Sequence, residues 1–293
     1  MNAITVLAPA KLNLGLEILG KRRDGYHDVA TILQTVSIFD RLTIEPARDL
    51  TLRCSAPELA EHSNLALIAA QRLRERADAS GASLYLSKGI PAAAGLGGAS
   101  SDAAATLTAA QRLWRTSLSP SELASLAEGL GSDVPFFLAG GTSLATSRGD
   151  QLEMLPSLVG VWFVVVVPAL QIERKTATMY AALLPVDMTD GEAVQRQATL
   201  RRAGAPIDTT LLGNAFLRPL VGQYPSLCAV AASMTADGAP FVALSGAGPS
   251  HYTILSNALE AWGLAAKLRV HLGDRAQIHV CRPVAEPRHV TMT

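Results

Sequence analysis

Residues 91–101 form a loop composed almost entirely of glycine, alanine and serine. The alternating residues 82–87 before it predict a strand, and the alanines after it favour a helix. Glycine lets a backbone come close to a ligand, and the first turn of a helix offers unpaired N–H groups at the positive end of its dipole. A strand, a glycine loop and a helix in this order predict a polyphosphate site. The site consists of Pro91, Ala92, Ala93, Ala94, Gly95, Leu96, Gly97, Gly98, Ala99, Ser100 and Ser101.

Two common phosphate-binding patterns do not describe this loop. A Walker A motif has a glycine, then any four residues, then Gly-Lys-Ser/Thr, and the loop has no lysine at that position. The loop also does not match the G-x-G-x-x-G pattern. Taken alone, the loop leaves a second interpretation open, in which it is a tight turn and Ser100 or Ser101 caps the helix that follows.

The charge balance predicts a small-molecule partner. The 293 residues carry 25 Lys plus Arg against 25 Asp plus Glu, without a block of like charge, which argues against a nucleic-acid surface or a polybasic membrane patch. Three widely spaced cysteines predict neither a disulfide framework nor a structural zinc site. The apolar residues 1–19 are interrupted by Lys11 and Glu17 and lack a basic start, so we expect strands rather than a signal peptide, in a soluble cytoplasmic protein.

Local patterns predict a mixture of strands and helices. Pro9 is expected to divide the first residues into strands at 4–8 and 11–19. Ser63 is the predicted cap of a helix reaching about residue 76, and Ser119 with Glu122 predicts a capping box. In the second half strands and helices alternate irregularly, which suits an α+β fold.

Several polar residues outside the loop are candidates for chemistry. Lys11 and Asn13 lie on the polar face of the second predicted strand, where a lone lysine is more often a solvated edge residue. Tyr26 and His27 follow a glycine in a polar loop, where side chains can reach a ligand. Asp133 precedes Val-Pro-Phe-Phe, and its alternative role is that of a turn residue making a local hydrogen bond.

Four strings together give the chain a family resemblance. They are Pro-Ala-Lys-Leu-Asn-Leu at 9–14, the loop with its following Asp-Ala at 91–103, Gly-Ser-Asp-Val-Pro-Phe-Phe at 131–137 and Leu-Ser-Gly-Ala-Gly-Pro-Ser at 244–250. In this order they resemble the motifs of the GHMP kinases. The resemblance implies a two-domain α+β fold, with a ribosomal protein S5 domain 2-like domain at 1–155 and a ferredoxin-like α/β sandwich at 156–293.

The resemblance also implies roles for individual residues. The N-terminal combination of Pro-Ala-Lys-Leu-Asn-Leu, then Arg-x-Asp-Gly-Tyr-His at 22–27, then Gln34-Thr35-Val36 and Asp40 narrows it further. The narrower resemblance is to the kinases that phosphorylate the 2-hydroxyl of a cytidine diphosphate-linked methylerythritol with ATP and Mg²⁺. Lys11 and Asp133 would then be catalytic, and the loop would hold ATP, with Ser100 or Ser101 available to phosphate or to the metal; the metal ligands are not otherwise specified. The substrate-binding residues implied are Asn13, Tyr26, His27, Thr176 and Tyr180.

The chain departs from the family pattern in two places. Ala92, Ala93 and Ala99 stand where many relatives carry glycine, which stiffens the loop but leaves three glycines. The run Lys175-Thr176-Ala177 matches the family's Ser/Pro-Thr-Ala only loosely, so Tyr180 is the less firmly aligned of the two tyrosines.

Three alternatives stay open on the sequence. A GHMP kinase for homoserine or mevalonate is disfavoured by the Gly-Tyr-His element. A catalytically silent nucleotide-binding member is disfavoured by the presence of both Lys11 and Asp133. A nucleic-acid-binding module with the same N-terminal fold conflicts with the zero net charge. Oligomeric state has no signal in the sequence.

Overall fold

The fold is taken from a computed structural model, which describes residues 3–116, 118–170, 172, 175–285 and 290–292. Strands and helices are mixed along the chain, as an α+β fold requires. The strands are β1 (Ile4–Lys21), β2 (His27–Pro46), β3 (Thr51–Cys54), β4 (Ala82–Ser87), β5 (Thr142–Thr146), β6 (Gln151–Leu155), β7 (Trp162–Pro168), β8 (Ala243–Leu244), β9 (His251–Leu255), β10 (Ala276–Cys281) and β11 (Val290–Met292).

The helices are α1 (Leu65–Ala77), α2 (Gly98–Leu113), α3 (Pro120–Leu130), α4 (Val134–Ala139), α5 (Lys175–Ala181), α6 (Glu192–Arg202), α7 (Leu217–Gln223), α8 (Leu227–Ala236) and α9 (Ala258–Leu272). The predicted capping box is confirmed at α3, where Ser119 and Glu122 exchange side-chain and backbone hydrogen bonds. The predicted Ser63 cap of α1 is wrong. Asn64 caps this helix by accepting from the N–H of Ala66, and Asn is as strong an N-cap as Ser.

The first two strands are long and continuous, which corrects the predicted break at Pro9. β1 runs through Pro9, and its pairing with β2 shifts register between Pro9 and Ala10. Proline has no N–H for the ladder, and a bulge absorbs the mismatch without ending the strand. As a result Lys11 and Asn13 lie in the interior of β1 and not at its end.

Two antiparallel-rich sheets organise the described residues. In the first, the order is β11–β1–β2–β4–β3, with β5 paired to β2 and β6 to β5; in the second it is β10–β7–β9–β8. The alanine-rich α2 packs against the first sheet together with α1 and α4, in a core that includes Val6, Leu84, Ala103 and Phe136. Small side chains let α2 lie close to the strands, so the loop before it is held over β1.

One apolar core connects the two sheets. Leu12 and Val36 of the first sheet share it with Phe163 and Tyr252 of the second, and the Tyr252 hydroxyl donates to the carbonyl of Asn13 at 2.9 Å. β11 also pairs with β1, so late residues complete the first sheet. The domain division at 155 and 156 stays a prediction. Within the described residues, no helix combines the length and apolar character needed to cross a membrane.

Candidate active site

A cleft of about 890 Å³ lies where β1, the glycine loop, the start of α4 and α5 meet. It collects most of the predicted site residues. Its lining includes Lys11, Asn13, Pro91, Ala92, Ala93, Ala94, Gly95, Leu96, Gly97, Gly98, Ala99, Ser100, Asp133, Thr176 and Tyr180. Residues distant in sequence are therefore brought to one surface, as the motif-based interpretation requires.

The glycine loop is tied to the middle of β1. The N–H of Lys11 donates to the carbonyl of Leu96 at 2.9 Å, outside the ladder of the sheet. Gly97 has a φ of 75°, and a Cβ built on it would lie 2.7 Å from the Phe137 ring and 2.9 Å from Cγ of Lys11. Only glycine fits this conformation and this space, because real Cβ atoms do not approach so closely. Gly97 is also the N-cap of α2, which corrects the alternative in which a serine is the cap.

The two serines of the loop point in different directions. Ser101 is buried, and its hydroxyl donates to the carbonyl of Pro9 at 2.6 Å. That hydroxyl is therefore engaged by β1, which corrects the expectation that it is available to a ligand. Ser100 lines the cleft. Of the two serines, Ser100 is therefore the one in the cleft lining.

The hairpin at 244–250 supports the loop from below. The Ser245 hydroxyl donates to the carbonyl of Gly95 at 3.0 Å, and the N–H of Ser250 donates to that of Ala94 at 3.3 Å. A Cβ on Gly95 would contact the carbonyl oxygens of Ser245 and Gly248. The backbones of the loop and of the hairpin pack directly against each other, so the hairpin at 244–250 supports the loop.

Lys11 lies next to Asp133 at the floor of the cleft. Its side chain is almost fully buried, and Nζ lies 3.8 Å from Oδ2 of Asp133, whose side chain is 32% exposed. Nζ also donates to Oδ1 of Asn13 at 2.5 Å, and the Asn13 amide donates to Thr31 at 2.9 Å. Burial lowers the pKa of Lys11, while Asp133 opposes that shift. The arrangement is a carboxylate open to the cleft with an oriented cation beside it.

The two tyrosines named as substrate-binding residues lie in different surroundings. Tyr180 lines the cleft, and the His27 ring stacks on it with 5.0 Å between centroids and 29° between planes. Burial, followed by the charge of Asp133, raises the pKa of Tyr180 to about 12. Tyr26 is 58% exposed and lies outside the cleft lining, with the Arg148 guanidinium 5.0 Å from its ring centre. Tyr180 and His27 are thus together, and Tyr26 is at the rim.

A buried ionic cluster beneath the loop was not predicted. Lys88 bonds both Asp40 and Asp102, and Asp40 also accepts from the N–H groups of Gly89 and Ile90 at 2.6 and 2.8 Å. Burial, then the charge of Asp40, raises the pKa of Asp102 well above its usual range against the effect of Lys88. The cluster holds β4, β2 and α2 together. A lysine at the end of a strand, just before the loop, was the sequence signal.

A second lysine, Lys175, also lines the cleft and was not predicted as a site residue. Its Nζ donates to the carbonyls of Ala93, at 2.8 Å, and Gly248, at 2.5 Å. The signal for it was the departure of Lys175-Thr176-Ala177 from the family pattern.

Comparisons with known proteins agree with this geometry. The family model described as the GHMP kinases N terminal domain matches residues 64–141. A protein of Pelotomaculum thermopropionicum described as 4-diphosphocytidyl-2-C-methyl-D-erythritol kinase is 38% identical over 273 residues, 91% of this chain and 94% of that protein. The chain belongs to the 4-diphosphocytidyl-2-C-methyl-D-erythritol kinase family.

Two further similarities extend across nearly all of the chain. A 4-diphosphocytidyl-2-C-methyl-D-erythritol kinase of Exiguobacterium sibiricum is 38% identical, covering 97% of this chain and 99% of that protein. A crystal structure of a 4-(cytidine 5'-diphospho)-2C-methyl-D-erythritol kinase has a TM-score of 0.80 and 34% identity, covering 94% of this chain and 98% of that one. The predicted GHMP resemblance, the GHMP kinase fold and the class of ATP-dependent kinase are confirmed.

Proposed function

We propose that this kinase phosphorylates the 2-hydroxyl of 4-diphosphocytidyl-2-C-methyl-D-erythritol, in the non-mevalonate route to isoprenoid precursors, with ATP and Mg²⁺. The observation that carries the proposal is the Lys11–Asp133 pair, which lies in one cleft with the glycine loop in a chain of this family. Phosphoryl transfer needs a placed hydroxyl, an acceptor for its proton and neutralisation of phosphate charge.

Asp133 is placed to act as the base. Its carboxylate is open to the cleft, and Nζ of Lys11 lies 3.8 Å from Oδ2. Asn13 orients Nζ of Lys11 through a 2.5 Å hydrogen bond, so this charge has a fixed position. A substrate hydroxyl bound beside them would give its proton to Asp133 as its oxygen attacks the terminal phosphorus of ATP. The bond from that phosphorus to the bridging oxygen would break and ADP would leave, while Lys11 would stabilise the charge developing on the attacking oxygen.

The glycine loop and the start of α2 suit the triphosphate. Backbone N–H groups in the first turn of α2 have no carbonyl partner within the helix, and the dipole favours an anion there. The cleft continues beside Leu59 and Asn64, which leaves room for a nucleoside beyond the phosphates.

The donor atoms of the cleft also fit Mg²⁺. This ion keeps several waters and is usually held by phosphate oxygens with one or two protein oxygens. The Ser100 hydroxyl lines the cleft and would be such a ligand. Groups of three or more acidic, His or Cys side chains suited to a metal are absent from the described residues, in keeping with an ion carried mainly by the nucleotide. When bound, the ion would neutralise charge on the transferring phosphate.

The Tyr180–His27 pair suits the cytidine end of the substrate. A cytosine ring is flat and has polar edges, so a selective pocket stacks it and hydrogen-bonds its edge. Burial, followed by the charge of Lys21, lowers the pKa of His27, which keeps the imidazole neutral at pH 7, with one nitrogen to donate and one to accept. We therefore propose that Tyr180 stacks on the cytosine ring and that His27 hydrogen-bonds the edge of that ring. Tyr26 and Thr176 would lie at the rim of the cleft.

Truncating Tyr180 should weaken substrate binding more than truncating Tyr26. Loss of a stacking ring costs about 1–3 kcal/mol, so Tyr180→Ala is expected to raise the KM for the cytidylyl substrate by roughly 5- to 100-fold. Tyr26→Ala should change it less, because that ring is largely exposed and packs on Arg148. Steady-state kinetics, with ATP affinity measured separately, test this. An equal or larger effect of Tyr26→Ala would reverse the assignment.

The proposed function itself is tested by one coupled assay of ADP release. The purified protein is given ATP, Mg²⁺ and, in turn, 4-diphosphocytidyl-2-C-methyl-D-erythritol, 2-C-methyl-D-erythritol 4-phosphate, homoserine and mevalonate. We expect rapid turnover only with the first. Equal turnover of the methylerythritol phosphate would refute cytidine recognition, and a preference for homoserine or mevalonate would replace the proposed substrate.

A further inference from the structure

Lys175 connects the glycine loop to the hairpin at 244–250. It lies at the start of α5, and its ammonium donates at 2.8 Å to the carbonyl of Ala93 in the loop and at 2.5 Å to that of Gly248 in the hairpin. Ala93 has a φ of 53°, a conformation that non-glycine residues rarely adopt, and this turns its carbonyl toward the lysine side of the loop. The ammonium is therefore directed at the backbone that would surround a triphosphate.

Among the residues that the structure describes, Lys175 has no anionic partner. Across the described ranges, no carboxylate lies within 4.0 Å of Lys175, and its partners are neutral carbonyls. The lining that Lys175 shares also contains the charged or ionisable side chains of Lys11, Asp133, Tyr180, Glu58, Glu61, Lys88, Asp102 and Arg148. Asp133 is already next to Lys11. Lys175 therefore adds a cation to the lining that the glycine loop shares.

The surroundings of the Lys175 ammonium disfavour its charged form. Burial, followed by the charge of Lys11, lowers the pKa of Lys175 to about 8. A partly buried cation without a counter-ion is destabilised, and an anion bound beside it restores the balance. Lys175 and Lys11 line the same cleft as the glycine loop.

We propose that Lys175 binds the terminal phosphate of ATP, giving up its carbonyl partners when the nucleotide enters. This proposal rests on the proposed kinase function and adds a catalytic cation that the motifs do not assign. A phosphate oxygen is a stronger acceptor than a backbone carbonyl, and a lysine is a good point-charge ligand for it. The substrate's own diphosphate offers the same chemistry, so the experiment must separate the two sources.

The first test compares K175M and K175R with the wild-type enzyme, with K267M as the matched control. Lys267 is an exposed lysine of α9 that donates to the carbonyl of Asp237, away from the cleft. Calorimetry with a non-hydrolysable ATP analogue should show about 10- to 100-fold weaker binding to K175M, the usual range for a lost charge-assisted hydrogen bond. Binding of ADP should change less than about 3-fold, because ADP lacks the terminal phosphate.

The other results of this test would overturn the proposal. Equal losses for ADP and the ATP analogue, with a lower melting temperature, would make Lys175 a structural connection between loop and hairpin. A rise in the KM of the cytidylyl substrate alone would assign it to the substrate's diphosphate. No change in either would exclude a ligand role. The calorimetric measurement uses no acceptor alcohol, so it stays informative even if the proposed substrate is wrong.

A pH series supplies a second, independent readout. Because the pKa of Lys175 is lowered to about 8 in the free protein, its charge is lost as the pH rises through that value. Affinity for the ATP analogue should fall between about pH 7 and pH 9 in the wild type, and more weakly in K175R, since arginine stays charged over this range. Both proteins retain Lys11, Asp133 and Tyr180, so the difference between them reports on position 175. Identical pH profiles would contradict the proposal.

Discussion

Replacing Asp133 by Asn is expected to lower kcat by about 100-fold or more, the usual range for loss of a general base. The variant keeps nearly the same shape but cannot accept the proton of the substrate hydroxyl. Asp133 has no side-chain role in capping α4, so the fold should survive. ATP binding should change little, because the carboxylate acts on the acceptor side of the cleft. Lys11→Met should act in the same direction through the lost charge next to Asp133.

The measurement is steady-state turnover together with ATP affinity for Asp133→Asn. Asp274→Asn is the matched control, because Asp274 is an exposed residue beyond the end of α9. A variant that turns over as fast as the parent would leave Asp133 as an ordinary turn residue before a proline. A parallel loss of ATP affinity would instead mean that its main contribution is to nucleotide binding.

Replacing Lys88 by Met is expected to lower the free energy of unfolding by about 3–5 kcal/mol, the range for breaking a buried charge cluster. Lys88 is the cation between Asp40 and Asp102, and its side chain is only 12% exposed. Without it two buried carboxyl groups face each other. Urea unfolding measures the loss. Lys267→Met, at an exposed site, should stay within about 0.5 kcal/mol of the parent.

The loss in Lys88→Met should depend on pH in a definite direction. The pKa of Asp102 is already raised by burial and by Asp40, and removing the cation raises it further. A carboxyl whose folded pKa exceeds its unfolded pKa binds more protons in the folded state, so acidification favours folding. The variant should therefore be impaired more at pH 8 than at pH 5, relative to the parent. A loss that is the same at both pH values would show that packing, and not charge, is what Lys88 supplies.

Much of the fold was predictable where a signal is local. The strand at 82–87 and the capping box at Ser119 occur where the patterns placed them. Each depends on residues within one element, where alternation or hydrogen-bonding chemistry decides the conformation. The predicted break at Pro9 was wrong because the effect of a proline depends on the neighbouring strand. The pairing of β1 with β2 shifts register after Pro9, and β1 continues.

The residues of the candidate site were predictable where they belong to a motif. They were less predictable where tertiary contacts determine their positions. Lys11, Asp133 and the loop come together in one cleft as expected from their strings. The pairing of Lys88 with Asp40 joins residues 48 positions apart, so the position of Lys88 at the end of a strand does not identify its partner. The sequence ranked Tyr26 above Tyr180 because its string matched better, but how far each ring reaches into the cleft depends on packing of α5, which the string does not encode.

The core that both sheets share determines how the protein loses its structure. Leu12 in β1 and Phe163 in β7 are both fully buried in this core. The Tyr252 hydroxyl also donates a hydrogen bond to the backbone of β1. Pulling the halves apart would expose apolar surface on both at once, which neither could offset alone. Two parts of a protein that share one buried interface unfold together, because neither can open without exposing that interface. Heating should therefore melt both halves in a single cooperative transition, and cutting the chain between β6 and β7 would release neither half as an independently folded fragment.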